Sequence, residues 1–353
     1  MKATLRRIAT FLRKPQNIIL ILLVISLAYL VVWPLVNIFQ DTFLVHPSEV
    51  SRVKQEAGSF TTYHWTKVFA DKDSYKTFVQ PLINSVLCAV LSCAIAILVG
   101  GLFAYLVIRT DMRGKKFCSS LFMLLYIMPA WTLAIAWTNF FKNQMVGGAM
   151  GLFEAVTGLS TPNWFAYGLF PVVVVTGLHY SPYAYILIGG ILRNMDSNLE
   201  EAAQILKASR ARIFWRVTIP LVRPAIMSTI LLVFASGLSV FSTAQFLGLP
   251  VGFHTLATKM YSYLNGTNPG RGYVYTFVML LLSMVVLYIN QKMLGTRKSY
   301  TTVSGKSSNV SLTRLRKART TISVLVIVFT VCVTILPFIS FALESLTKAK
   351  GNY

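Results

Sequence analysis

Residues 194–224 read NMDSNLEEAAQILKASRARIFWRVTIPLVRP, and how this stretch is understood decides the fold. It is too polar to lie in hydrocarbon, yet apolar runs long enough to cross a membrane flank it on both sides. Ser197-Asn198-Leu199-Glu200 has the spacing of a capping box, in which the serine accepts from the N3 amide and Glu200 reaches back to the cap. A helix is therefore expected from Ser197 to about Lys207, with Leu199, Ala202, Ala203 and Leu206 on one face at three- and four-residue spacing. The paired alanines leave room for close approach of another surface. Ser209 has the chemistry to cap a second short helix carrying Ile213, Phe214 and Val217, which Pro220 is expected to end or redirect as the next apolar run begins. The stretch reads as a helix-turn-helix elbow between two membrane spans.

Composition agrees. Of 353 residues, 55% are hydrophobic and only 12% charged, too apolar a balance for one soluble core under a polar surface. A hydrocarbon core about 30 Å thick needs roughly 20 apolar residues per helical span. Seven runs of that kind are predicted: 17–38, 81–108, 118–139, 168–192, 219–246, 273–292 and 321–343. The net charge of +22 would suggest a nucleic-acid partner in a soluble protein, but here the basic residues lie between apolar runs. If the N-terminus is cytoplasmic, the segments 1–16, 109–117, 193–223 and 292–320 fall inside and hold 23 of the 33 Lys and Arg residues. The reverse orientation would put that majority outside, against the positive-inside rule. The charge thus reads as topology, with no nucleic acid implied. The basic N-terminus leads into the first run without a small-residue cleavage pattern at Trp33-Pro34-Leu35, so this run reads as an uncleaved span. The outer segments carry Trp65, Trp164, Tyr167, Tyr261, Tyr263 and Tyr273, aromatics suited to a membrane interface.

One repeat spans the chain. Trp33-Pro34-Leu35 ends the first run, with Asp41 seven residues past the proline; Leu336-Pro337-Phe338 ends the last, with Glu344 at the same distance. Chance is the competing explanation, because proline is common in membrane helices. Residues 296–320 between the last two runs have the Ser/Thr-rich, basic composition of a linker. The organisation that follows is an arm, first transmembrane helix and external segment over 1–80, a core over 81–293 with its elbow at 194–220, a basic cytoplasmic linker over 294–320, and over 321–353 the first transmembrane helix of a second copy.

Glu201-Ala202-Ala203, followed by Val217, Ile219 and Pro220 at the right distances and by Leu221 to Arg223-Pro224-Ala225-Ile226, resembles the EAA loop of type I ABC importer permeases. That resemblance implies an all-α polytopic membrane protein, with a core of about six helices and here one further transmembrane helix, in the bacterial cytoplasmic membrane. It implies that Glu200, Glu201, Ala202, Ala203, Leu206, Lys207, Val217 and Pro220 form a coupling helix for a separate ABC ATPase dimer, which would carry the ATP and Mg. An extracytoplasmic solute-binding protein and a second permease half, fused or separate, complete the implied assembly. Where the family has glycine this chain has Lys207, which puts the bend after the first helix in question, since glycine takes left-handed backbone angles at least cost. The chain looks most similar to the fused ferric-iron branch, which implies iron(III) as cargo, with phosphonate, polyamine and thiamine as alternatives.

No Walker A pattern occurs, so no site for ATP hydrolysis is visible in this chain. The four cysteines lie in or beside apolar runs as small buried hydrophobes, and His46, His64, His179 and His254 are scattered without metal-ligand spacing. Neither a catalytic residue nor a bound cofactor or metal is expected. The polar run around Tyr180 and Ser181, and Ser239, Thr243 and Gln245 in the fifth apolar run, are candidates for the substrate path; hydrogen bonding between packed helices is the competing reading. Pro129, Trp131 and Trp137 suggest a kinked third span, and Gly100-Gly101 and Gly189-Gly190 suggest close helix contact. A scaffold or sensor binding a cytoplasmic partner through the same elbow is the alternative function. A secondary transporter fits less well, because no span carries an acidic residue in its middle.

Overall fold

The computed structural model describes residues 14–195, 197–295 and 312–346. Among them, helices form the whole framework, and the extended pairings are two isolated β-bridges, Leu44 with Phe60 and Thr110 with Thr313. In chain order the elements used below are α1 (Pro15–Asp41), α2 (Tyr63–Phe69), α3 (Gln80–Arg109), α4 (Lys115–Ile127), α5 (Ala130–Phe141), α6 (Leu169–Asn194), α7 (Ser197–Ile205), α8 (Arg210–Ile213), α9 (Ile219–Leu238), α10 (Ser242–Leu247), α11 (Leu256–Leu264), α12 (Pro269–Gly295) and α13 (Arg319–Leu346). Six helical stretches among the described residues are long and apolar enough to cross a membrane, or seven if α4 and α5 count as one broken span.

The chain divides into two compact units. In the first, the segment up to Ser74 joins Lys259–Leu281. Its centre is Glu49, whose carboxylate accepts from the Gly270 amide at 3.1 Å and pairs with the His64 ring on α2 at 3.4 Å. Both side chains are buried, and a Cβ at position 270 would fall on that ring. Arg52 adds a bond from Nη1 to the Thr267 carbonyl at 3.1 Å, so the segment after α1 is fastened to the start of α12.

The second unit, Tyr75–Thr258 with the segment from Leu282 onward, holds the helical core. Here α3 and α6 lie against each other because glycine removes the side chain at the contact. A Cβ on Gly100 would fall on the Ser181 carbonyl, one on Gly177 would sit 2.7 Å from Ile95 Cβ, and one on Gly189 would sit 2.7 Å from Ile108 Cδ1. Gly190 has open space around it and plays no such part. Phe103, Phe122 and Tyr185 form the aromatic centre, with the two phenylalanine rings stacked 4.0 Å apart and Tyr185 edge-on to Phe103. Gly100→Ala is expected to cost about 1–3 kcal/mol by overpacking, since the obstacle is backbone and cannot rotate away. A lowered thermal unfolding midpoint of the purified protein in micelles would show it, with Gly190→Ala as the unaffected control.

The third apolar run is more than kinked. Its two halves, α4 and α5, meet at 99° across Met128-Pro129. Pro129 supplies no amide, and its ring drives Met128 to ψ 131°, out of the helical region. The fifth run, predicted as continuous over 219–246, is also broken: α9 ends at Leu238, and α10 begins at Ser242. Thr255 Oγ1 donates to the Val240 carbonyl at 3.2 Å and so satisfies a group that the break frees. Ser239, at the end of α9, and Thr243, on α10, therefore lie on opposite sides of the break and not on one continuous helix. The last helix, α13, packs along α4 and α5, lining with α5 and α6 an apolar cavity of about 190 Å³ between Trp137, Leu178 and Pro337.

Candidate functional site

The elbow is present. Helix α6 stops at Asn194, Met195 is extended at ψ 127°, and α7 runs from Ser197 to Ile205. The amides of Leu206 and Ala208 then donate to the carbonyls of Ala202 and Ala203 at 3.1 and 3.0 Å, the bonding of a helix end closed by one left-handed residue. That residue is Lys207, at φ +57°. The substitution that put the bend in question leaves it intact, and the lysine adopts the glycine conformation. A non-glycine residue there costs about 1–2 kcal/mol, partly offset in a Lys207→Gly variant by the greater chain entropy of glycine. Lys207→Gly is therefore expected to raise stability by up to about 1 kcal/mol, read as slower amide exchange at Leu206 and Ala208.

Ser209 does cap the second short helix: its Oγ accepts from the Arg212 amide at 3.3 Å. Pro220, in contrast, ends nothing. Helix α8 passes through a π-turn, Phe214–Thr218, directly into α9, and Pro220 sits in the first turn of α9, where a missing amide is tolerated. The widened turn ahead of the proline carries the chain into the span without a break.

Glu200 has partners that its place in the capping-box spacing did not announce. It forms an ion pair with Arg109 at the end of α3 and accepts from Thr218 Oγ1 at 3.2 Å. Arg109 is fully buried, and Glu200 and Thr218 are nearly so. One carboxylate thus ties together the end of one span, the first helix of the elbow and the π-turn of the second. Glu200 points inward, while Glu201 and Ala202 face outward and Ala203 and Val217 are half-buried. The outer surface of the elbow is strongly apolar: Ile205 is 81% exposed, Leu206 82% and Trp215 67%. Such residues, on a loop too polar for hydrocarbon, mark a partner surface.

Arg109, Ile205 and Trp215 escaped the sequence reading. Trp215 carried a usable signal, a large aromatic in a basic segment outside the spans. Arg109 carried none, because a basic residue at the end of an apolar run is the ordinary flank of a membrane helix.

Of the path candidates, Ser181 and Thr243 are fully enclosed. Ser181 donates to the Leu178 carbonyl at 2.7 Å, and Thr243 shares a 3.0 Å bond with Thr176. Ser239 is exposed at the end of α9, and Gln245 is half-buried. Tyr180 is half-buried beside Tyr183, which belongs to the same polar run, and near Tyr126, which the sequence did not single out. Its ring stacks on Tyr183 at 6.1 Å, and the hydroxyls of Tyr183 and Tyr126 lie 2.5 Å apart where α4 breaks. No cluster of His, Cys, Asp and Glu side chains able to hold a metal ion occurs among the described residues.

Among the described residues, apolar helices packed through glycine and interrupted by a polar elbow with an apolar outer surface have the build of a polytopic membrane protein. Residues 96–300 match the family described as binding-protein-dependent transport system inner membrane component, and the chain belongs to that family. It is similar to a ferric transport system permease protein, FbpB, of Actinobacillus pleuropneumoniae, at 30% identity over 200 residues. The match covers 56% of this chain and 28% of that relative, so the chain spans little more than a quarter of the relative's length. It is also similar to the spermidine/putrescine transport system permease protein PotC of Haemophilus influenzae, at 27% identity over 67% of this chain and 83% of the relative. In fold it resembles a bacterial ABC transporter involved in import of the polysaccharide alginate, with a TM-score of 0.64 and 17% identity over 83% of this chain and all of that one.

Proposed function

We propose that this chain is permease machinery of an ATP-driven, binding-protein-dependent importer, moving cargo between permease halves by alternating access with no covalent chemistry. The observation that carries this reading is the elbow: an apolar surface at Ile205, Leu206 and Trp215, braced from behind by the buried Glu200–Arg109 pair. A surface so braced can take a push from a docked subunit and pass it into a span. In this reading an ABC ATPase dimer with its ATP and Mg docks there, Glu201 and Ala202 meet its groove, and Ala203 leaves room for close approach. A solute-binding protein delivers cargo at the opposite face. The excess of basic residues on the same side supports a cytoplasmic elbow and N-terminus.

A second permease copy begins near residue 321. In support, α13 repeats the proline and acidic residue of α1 at the same spacing and packs against α4 and α5. Among the described residues, Lys142 at the end of α5 comes within 4.0 Å of Glu344, the acidic residue of that repeat. For cargo, iron(III) stands first and a polyamine second, on the likeness to ferric and polyamine permeases. The phenols of Tyr126, Tyr180 and Tyr183 offer either one oxygen atoms or aromatic faces. Proteoliposomes holding this permease with its ATPase and binding protein decide the matter, with radiolabelled ferric citrate and spermidine offered in parallel. ATP-dependent accumulation that vanishes without the binding protein supports the importer and names the cargo. An assembled complex that accumulates neither, yet binds its cytoplasmic partner through the elbow, would favour a scaffold or sensor.

A further inference from the structure

The loop that joins α3 to α4 is held from two sides. On one side is Arg109, the last residue of α3, paired with Glu200 of the elbow. On the other is the segment that leads into α13. The Thr313 amide donates to the Arg109 carbonyl at 2.7 Å, and the Asp111 amide donates to the Thr313 carbonyl at 3.3 Å, forming the parallel β-bridge. Asp111 Oδ1 accepts from the Leu315 amide at 2.8 Å, Arg319 Nε donates to the Asp111 carbonyl at 2.7 Å, and the Arg113 amide donates to Ser323 Oγ at 2.8 Å. The Leu315 amide and the Arg319 guanidinium keep the Asp111 carboxyl below the usual carboxylate range, so it is charged at neutral pH. Gly114 closes the loop at φ +76°, with Ile327 of α13 against it.

These are more bonds than a surface loop needs to hold its shape. Backbone-to-backbone pairing with residues some 200 positions away fixes the loop in register to the segment that leads into α13, while the buried ion pair fixes Arg109, directly before the loop, to the elbow. A displacement of α7 therefore cannot leave the loop behind, and a displaced loop cannot leave the start of α13 behind, without breaking charge-assisted or buried hydrogen bonds. We propose that Thr110–Arg113 is a mechanical junction, through which movement of the elbow is passed to α13 by way of Arg109 on one side and Asp111 on the other. Asp111, Thr313, Arg319 and Ser323 are thus positioning residues. The inference rests on the importer reading, in which the elbow moves with the ATPase. It adds that α13 moves with the elbow through this loop and not only through helix packing in the membrane.

Hydrogen exchange on the intact complex with its ATPase, in nanodiscs, tests it by comparing the nucleotide-free state with the state trapped by ATP and vanadate. In the wild type, trapping is expected to change exchange at residues 201–207, 110–113 and 312–319 together, by roughly threefold or more. Asp111→Ala removes the acceptor for Leu315. It is expected to keep the response at 201–207 and lose it at 312–319, and Ser323→Ala, a milder cut, is expected to lose part of it. A purely structural staple predicts faster exchange at Leu315 in the Asp111 variant in every state but no nucleotide response at 312–319 in the wild type. That result, or a full response surviving in the Asp111 variant, overturns the junction and leaves the importer standing. A wild-type complex with no response at 201–207 overturns both.

Discussion

Arg109→Met is expected to destabilise the second unit by about 3–5 kcal/mol, the largest effect of any single replacement considered for this chain. The substitution keeps the volume and removes the charge, so Glu200 remains in a nearly dry site where, among the described residues, the Thr218 hydroxyl is left to compensate it. A buried carboxylate in that position must either take up a proton or pull α7 away from α3 to reach water, and each route costs free energy. The variant is expected to show a lower apparent unfolding midpoint and rapid proteolysis at the elbow. Arg109→Met combined with Glu200→Leu is expected to recover most of the loss, because replacing both members of a buried pair by apolar groups is often close to neutral. A single variant as stable as the wild type would mean that the pair does not brace the elbow.

The second large effect concerns the outer surface. Trp215→Ala is expected to weaken binding of the ATPase subunit by at least about 2 kcal/mol, roughly 30-fold. Trp215 stands on the π-turn with two thirds of its surface exposed, and its ring lies edge-on to that of its neighbour Phe214 at 5.4 Å. Removing it should leave the fold unchanged and deprive a partner of its aromatic anchor. Titration of the ATPase onto nanodisc-held permease measures the effect directly. Unchanged affinity would show that docking occurs elsewhere.

Much of this architecture was legible because a bilayer imposes lengths on sequence. The runs predicted over 81–108, 168–192 and 321–343 correspond to helices Gln80–Arg109, Leu169–Asn194 and Arg319–Leu346, since apolar run length and flanking charge are local properties. The elbow and its cap at Ser209 were legible for the same reason. The break after Leu238 was not: no proline marks it, and the stranded Val240 carbonyl is satisfied by Thr255, a partner visible only once the chain is folded. The 99° turn at Pro129 was legible as a kink but not in its size, which depends on the space that α13 and α6 leave for α5. Glu200 shows the limit most clearly. Its spacing from Ser197 fits a local cap, and nothing in that spacing points to the buried arginine 91 positions earlier with which its carboxylate pairs. Lys207 shows the reverse case, in which the fold imposes a left-handed backbone on a residue that does not prefer it, because the bonds closing α7 require it.

If an ATPase drives this permease, it pushes at the outer surface of the elbow. The most direct measurement places a single cysteine at Leu206, in a background lacking the exposed Cys332, and treats membranes containing the assembled complex with a short bis-maleimide. The expected result is a covalent adduct between this chain and a single cysteine introduced in the groove of the ATPase subunit, formed in high yield and altered by ATP with vanadate. Free labelling of Leu206→Cys by a water-soluble maleimide in the assembled complex, with no adduct to the ATPase in any nucleotide state, would contradict it.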